Sequence, residues 1–265
     1  LTPESIVLCL SGGLDSTALA LHFLAQNQRV FGVSFDYGQS HRLELERLQA
    51  NLVLWRERNR GLADWTLIDL RSINRLLRSA LTDPDIPMPF GHYADASMRA
   101  TFVPNRNALF AAVAYGYALS LSERLDQSVG LGLGVHAGDH AIYPDCRPAF
   151  YDALWQAFRI GNWNSERIEL RLPYLNWSKS DILRDARRSC ERLGLDFEAV
   201  FRNTCTSYLP DATGRAQGLT GSDVERILAF HRLGWVDPLE YQQPWDEVVR
   251  QALEAERRHR ESDRS

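Results

Sequence analysis

Hydrophobic positions in this chain switch repeatedly between two periods. Ile6, Val7, Leu8, Cys9 and Leu10 form a short apolar run that predicts a buried strand. A glycine turn at 11–13 then leads into a helical pattern through Ala18, Leu19, Leu21, Phe23 and Leu24. Residues 29–36 are strongly β-favouring and predict a second, parallel strand. Over 42–60 the spacing is helical, with Leu43, Leu45, Leu48, Leu52 and Trp55 mostly along one face. Residues 65–70 predict a third strand. Strand–helix–strand–helix–strand at this spacing is the pattern of an α/β protein with a doubly wound parallel sheet. It places function at the carboxyl ends of the strands.

Farther along, residues 82–100 carry Pro87, Pro89 and Gly91 and read as a loop long enough to cover a substrate. An apolar helix is predicted over 108–121 and a glycine-spaced buried strand over 129–135. Helices follow at 148–159 and 179–193, with a strand at 168–173 between them. From Cys205 the character changes. Loop residues dominate to Gly221, Ser222 is expected to cap a helix over 223–233, and a last helix over 245–258 precedes a polar tail from His259 expected to fray. The expected organisation is therefore a Rossmann-like sheet domain, 1–204, with helices on both faces. A small, mainly helical C-terminal appendage, 205–265, completes it.

Composition narrows the classes. At 265 residues the chain can bury a full core, and 45% hydrophobic with 24% charged residues is ordinary for a globular protein. Thirty basic against thirty-four acidic residues give a formal charge of −4, which argues against a dedicated nucleic-acid binder. No apolar run reaches the length of a membrane helix. The four cysteines, Cys9, Cys146, Cys190 and Cys205, show no paired short spacing, and a reducing, cytoplasmic setting is expected.

The chemistry begins at Ser11-Gly12-Gly13-Leu14-Asp15-Ser16-Thr17. A strand, a glycine turn and a helix start converge backbone N–H groups on one point, to which the helix dipole adds positive character. Ser11, Ser16 and Thr17 add hydroxyl donors. The spacing is neither that of a Walker loop nor that of a dinucleotide turn. Asp15 has two readings, a stabiliser of the first helical turn or a residue beside phosphates and their magnesium ion. Further clusters fall near strand ends: Tyr37-Gly38-Gln39-Ser40-His41, Val103-Pro104-Asn105-Arg106-Asn107, and Asp139 to Arg147 with Tyr143 and Asp145. Singly, Arg106 could pair a surface acid, Asp145 could cap a helix and Tyr143 could be packing.

The first loop resembles that of the ATP pyrophosphatases, which cleave ATP between the α and β phosphates. The ordered set is more specific. Ser11–Ser16, Tyr37-Gly38-Gln39 with His41, Val103-Pro104 with Arg106-Asn107, Tyr143-Pro144-Asp145-Cys146-Arg147, and Lys179-Ser180-Asp181-Ile182 are similar to the 7-cyano-7-deazaguanine synthase family over residues 5–210. The resemblance implies an ATP-dependent ligase that adenylates the carboxylate of 7-carboxy-7-deazaguanine, with ammonia then giving the amide and finally the nitrile. It implies ATP and Mg²⁺ as cofactors. Nucleotide binding falls to Leu10, Ser11, Gly12, Gly13, Leu14, Asp15, Ser16, Thr17, Phe35 and Lys179. Deazapurine binding falls to Tyr37, Gln39, His41, Arg106, Asn107, Asp139, Tyr143, Asp145 and Arg147. Asp15, Lys179 and Arg106 are the catalytic candidates, Lys179 as a point charge on pyrophosphate and Arg106 or Arg147 on the substrate carboxylate. His41 is open between general base and positioning residue.

One part departs from that family. Its four-cysteine zinc site has a single counterpart here, Cys205, and 214–223 contains no cysteine, so zinc and any other structural metal are expected to be absent. The acceptor is correspondingly open. Ammonia is the first reading, and the alternative is a divergent relative, of the kind found in antiviral defence clusters, that transfers the acyl group to a protein amine. A tRNA-modifying thiolase or ligase would want cysteine pairs and a basic surface. A non-catalytic binding protein would not need the loop, Arg106 and Asp139 together. Homodimerisation is left open, with no direct membrane or nucleic-acid partner expected.

Overall fold

The computed structural model describes residues 3–38, 43–74, 76–83, 85–207 and 210–262. Among them the chain runs β1 (Ser5–Cys9), α1 (Leu14–Leu24), β2 (Arg29–Asp36), α2 (Leu43–Glu57), β3 (Asp64–Asp69), α3 (Arg71–Asn74), α4 (Arg106–Leu125), β4 (Val129–Gly132), α5 (Pro148–Gly161), β5 (Ile168–Arg171), α6 (Lys179–Leu193), α7 (Phe197–Arg202), α8 (Gly221–Arg232) and α9 (Trp245–Ser262). All strand pairs are parallel, in the order β3-β2-β1-β4-β5. The fold is the doubly wound α/β class that the sequence pattern predicts. Strand order reverses at β1, whose Ser5 pairs with Arg29 on one side and Val129 on the other. A crevice is expected beyond its carboxyl end.

The period-2 alternation of β1 builds the two faces. Ile6 and Leu8, with Leu10 just beyond the strand, pack against α1, α2 and α6 through Leu19, Leu48, Trp55, Ile182 and Leu183. Val7 turns the other way and joins Val33, Ala114, Ala118 and Leu121 beneath α4. Burying β1 on both faces fixes its carboxyl end rigidly, and that end carries the glycine turn.

Four local expectations need correction. The strand expected over 129–135 stops at Gly132, because the chain leaves the sheet there. Leu133 and Val135 then pack in a side cluster with Tyr151, while Gly134 comes against the backbone of Asp15 and Ser16 at the start of α1. Thr220, not Ser222, caps α8. The Thr220 side chain accepts from the Asp223 N–H and the Asp223 carboxylate accepts from the Thr220 N–H, whereas Ser222 donates to the Thr206 carbonyl at 2.7 Å. The tail does not fray at His259, since α9 continues to Ser262 and His259 Nδ1 hydrogen-bonds Asp95 Oδ1 at 2.8 Å. Finally, α7 was not expected. Six residues are too few to show a period, and its start is set by Asp196, which accepts from the N–H groups of Glu198 and Ala199.

The C-terminal segment is fastened by a buried guanidinium. Arg226 and Asp237 are both fully buried, and Arg226 Nε and Nη2 lie 2.6 and 2.8 Å from the two Asp237 oxygens. Nη1 donates to Thr204 and Thr206, Nη2 also to the Phe201 carbonyl, and Tyr241 donates to Asp237. Every arm of the ion pair is therefore hydrogen-bonded, the condition under which a buried pair holds. Removing one partner strands a charge. Asp237→Asn or Arg226→Met should lower stability by about 3–5 kcal/mol, read as a reduced urea midpoint. Midpoints equal to wild type would show that the segment is held by apolar packing alone.

Candidate active site

Beyond the carboxyl ends of β1, β2 and β4 lies a cavity of about 300 Å³. One wall is the start of α1. Gly13 is the N-cap in extended conformation, and no side chain caps the helix, so the first-turn N–H groups are left for an anion. The Ser11 and Ser16 hydroxyls sit 3.1 Å apart, and Ser16 Oγ also accepts from the Ser11 N–H, which sets the turn. Gly12 has φ +88, and a Cβ there would stand 2.1 Å from the Glu44 carbonyl oxygen. Glycine is required twice over, by backbone conformation and by the close approach of α2.

Charge is concentrated opposite the loop. Lys179, at the first position of α6, is only 6% exposed. Its Nζ is 2.8 Å from Asp15 Oδ2 and 2.9 Å from Glu225 Oε2. Burial alone would lower the Lys179 pKa, but Asp15 and Glu225 outweigh it and hold the amine charged, well above the ordinary lysine value. For Asp15 burial pushes upward, while Lys179 and His136 pull harder, so its carboxyl sits below the usual range. The Ser178–Asp181 capping box starts α6 at this point and so aims Lys179 inward. The helix-start lysine is thus buried and ion-paired rather than a solvated charge.

His136, 1% exposed, stands behind this pair. Its Nδ1 accepts from the Gly138 N–H at 3.0 Å, which leaves the proton of a neutral ring on Nε2. Nε2 lies 3.4, 3.8 and 3.8 Å from carboxylate oxygens of Asp139, Asp15 and Glu225 and makes no hydrogen bond among the described residues. His136, Asp139 and Glu225 are close enough together to hold a metal ion. With the ring tautomer set by Gly138, the carboxylates of Asp139 and Glu225 are the better ligands of the three.

The opposite wall is aromatic and polar. Phe35 stacks on Phe110 with centroids 4.1 Å apart, and Tyr37 follows it. Arg106 begins α4 after Asn105, whose left-handed φ of 59 turns the chain into the helix. It donates to the Tyr37 hydroxyl at 3.4 Å, with its guanidinium 5.9 Å from the Tyr37 ring centroid. Tyr143 hydrogen-bonds Thr101, tying the covering segment to the floor. Asp145 is buried; that burial raises its pKa, against the opposing pull of Arg106 and of Asn107. The cysteines are silent, with the thiols of Cys9 and Cys205 pushed by burial up to about 12.

Of the residues singled out in the sequence, Leu10, Ser11, Gly13, Leu14, Asp15, Ser16, Phe35, Tyr37, Arg106, Asn107, Asp139, Tyr143, Asp145 and Lys179 all line this cavity. Gly12 backs the turn, and Thr17 is wholly buried behind it. Arg147 lies away from the cavity, on the exposed side, where its Nε donates to the His140 carbonyl at 2.9 Å. Gln39 and His41 fall outside the described residues. Sequence reasoning missed Glu44, His136, Tyr93, Met98 and Glu225. Glu225 carried a signal, being an acid on the buried face of α8 between Val224 and Ile227. His136 carried none beyond following a glycine-rich strand.

Among known proteins, the profile described as "Queuosine biosynthesis protein QueC" matches residues 5–234. The 7-cyano-7-deazaguanine synthase of Hahella chejuensis is 40% identical over 243 residues, covering 91% of this chain and 95% of that one. The same-named protein of Methanoregula boonei is 37% identical, covering 89% and 98%. An alignment to the NMN synthetase structure of Francisella tularensis covers 97% of this chain and 85% of that one, at TM-score 0.41 and 12% identity, too distant to carry an argument. With the glycine turn, the buried lysine and the aromatic wall in one cavity, and these matches over nine-tenths of its length, the chain belongs to the QueC family of queuosine biosynthesis proteins.

Proposed function

We propose that the chain is an ATP-dependent ligase that adenylates the carboxylate of 7-carboxy-7-deazaguanine, releasing pyrophosphate. Ammonia then displaces AMP to give the amide, and a second ATP-driven step dehydrates it to 7-cyano-7-deazaguanine. The observation that carries this reading is the uncapped start of α1 facing Lys179, with Arg106 across the same cavity.

A carboxylate is a poor electrophile because oxide is a poor leaving group, and AMP departs far more readily from the mixed anhydride of an acyl-adenylate. The first-turn N–H groups of α1 and the hydroxyls of Ser11 and Ser16 would hold the departing pyrophosphate, with Lys179 as a fixed positive charge. Arg106 would orient the substrate carboxylate toward the α-phosphorus, its own position fixed by Tyr37. Asp139 and Asp145 suit the N–H donors on a guanine-like edge, and Tyr143 its ring face. Asp15 Oδ1 is buried without a hydrogen-bond partner, so Asp15 would hold Mg²⁺, which when bound offsets phosphate charge.

Exchange of labelled pyrophosphate into ATP should require 7-carboxy-7-deazaguanine, and its absence would overturn the adenylation reading. Adding ammonium should produce amide and then nitrile by mass; a mass adduct on an added protein instead would identify a protein amine as the acceptor. Asp15→Asn and Arg106→Ala should each reduce exchange by about 100-fold or more, while Asp246→Asn, exposed at the start of α9 and away from the cavity, should not. The pH dependence has a definite sign. Asp15 is depressed and so ionised above the ordinary carboxylate range, and Lys179 is raised and so protonated below the ordinary lysine range. Exchange should therefore stay level from about pH 6 to about pH 9. A steep limb inside that window would assign the phosphate chemistry to other groups.

A further inference from the structure

Glu44 lies in the first turn of α2 and lines the cavity, yet the chemistry above does not use it. Its backbone carbonyl abuts Gly12, which sets it beside the phosphate loop. Arg106 of α4, Tyr37 at the end of β2 and Cys205 beyond α7 line the same cavity as Glu44, close enough for charge on one to act on another. Glu44 thus borders the glycine loop through its backbone and shares one cavity with Arg106, so on the proposed reading it lines the space where an acyl phosphate would form and break. Burial pushes its carboxyl up to about 7, against the downward pull of Arg106 and of the α2 dipole. Other groups in the cavity are committed. Lys179 stays protonated, the Cys9 and Cys205 thiols do not ionise near neutrality, and the His136 Nδ1 lone pair is taken by Gly138.

We propose that Glu44 is a further catalytic residue, the general base for the amine that attacks the activated acyl carbon. The assignment rests on the adenylation reading. As the C–N bond forms, the acyl C–O bond to AMP breaks and its electron pair leaves on AMP. One proton passes from the nitrogen to the Glu44 carboxylate and is later lost to water. A base with a pKa near the working pH is the efficient choice for such a transfer.

The two half-reactions separate the claims. Glu44→Gln should keep substrate-dependent pyrophosphate exchange within about 3-fold of wild type and slow amide formation by about 100-fold or more. Hydroxylamine, far less basic than ammonia and already unprotonated, should restore product formation by the variant to within about 10-fold. At constant free ammonia, amide formation by wild type should fall as pH drops through about 7. That limb should be missing from exchange and from the variant. Amide formation by Glu44→Gln at the wild-type rate would overturn the proposal, as would equal loss of exchange, which would place Glu44 in nucleotide binding. Wild-type protein that shows no exchange would overturn the adenylation reading, and the assignment of Glu44 with it.

Discussion

The cavity depends on one buried ammonium. Lys179 Nζ lies within 3 Å of both Asp15 and Glu225, and those three residues come from α6, α1 and α8. Taking an ammonium out of water costs several kcal/mol unless carboxylates and hydrogen bonds surround it. The lysine is therefore tolerable only when both ends of the chain are docked against the middle. The contact that neutralises Lys179 also completes the site, so folding and function share one electrostatic condition. It explains why α8, distant in sequence from the phosphate loop, reaches the cavity at all.

That docking has its own support. Glu225 is followed directly by Arg226, whose guanidinium is saturated by Asp237, Thr204, Thr206 and the Phe201 carbonyl. Successive residues of one helix thus point one charge at the buried Lys179 and the other into a structural hub. Around them, Ala229 and Phe230 belong to the same apolar cluster as β1 and α1, while Val224 and Ile227 pack on α9. Small shifts of α8 would be felt at Lys179, because the hub fixes position and rotation together.

Much of this was legible in the sequence, for a definite reason. Long amphipathic runs such as 43–57 announce themselves by period, the short apolar run 6–10 by composition and length, and the glycine turn has the strand-to-helix setting from which an anion site is expected. The residues that failed to appear are those whose role depends on partners far away. Glu225 looks like a helix acid until α6 brings Lys179 beside it. His136 looks like a loop histidine until α1 and α8 bring Asp15 and Glu225 within 4 Å of its Nε2. Thr220 outranks Ser222 as a cap because Asp223 stands three residues on and can return the hydrogen bond. Ser222 lacks such a partner in sequence and finds the Thr206 carbonyl instead.

The charge balance of the cavity bears on how a nucleotide could enter it. Asp15, Glu44, Asp139, Asp145 and Glu225 line it against Lys179 and Arg106, and Lys179 is already shared between two of the acids. A free polyphosphate would meet a field that is negative on balance, and the first-turn N–H groups of α1 offer only about half a positive charge. On the proposed reading, nucleotide therefore binds as a complex with its own divalent cation. Asp15 would turn from ammonium partner to cation ligand, and its buried, unpartnered Oδ1 is the oxygen left over for that exchange. Lys179 would then be partly released toward the phosphates while Glu225 keeps it in place. A lysine shared between two acids would, on that reading, keep its partner Glu225 and gain a phosphate where Asp15 is given over to the cation, so that its charge would serve pyrophosphate without being left unpaired.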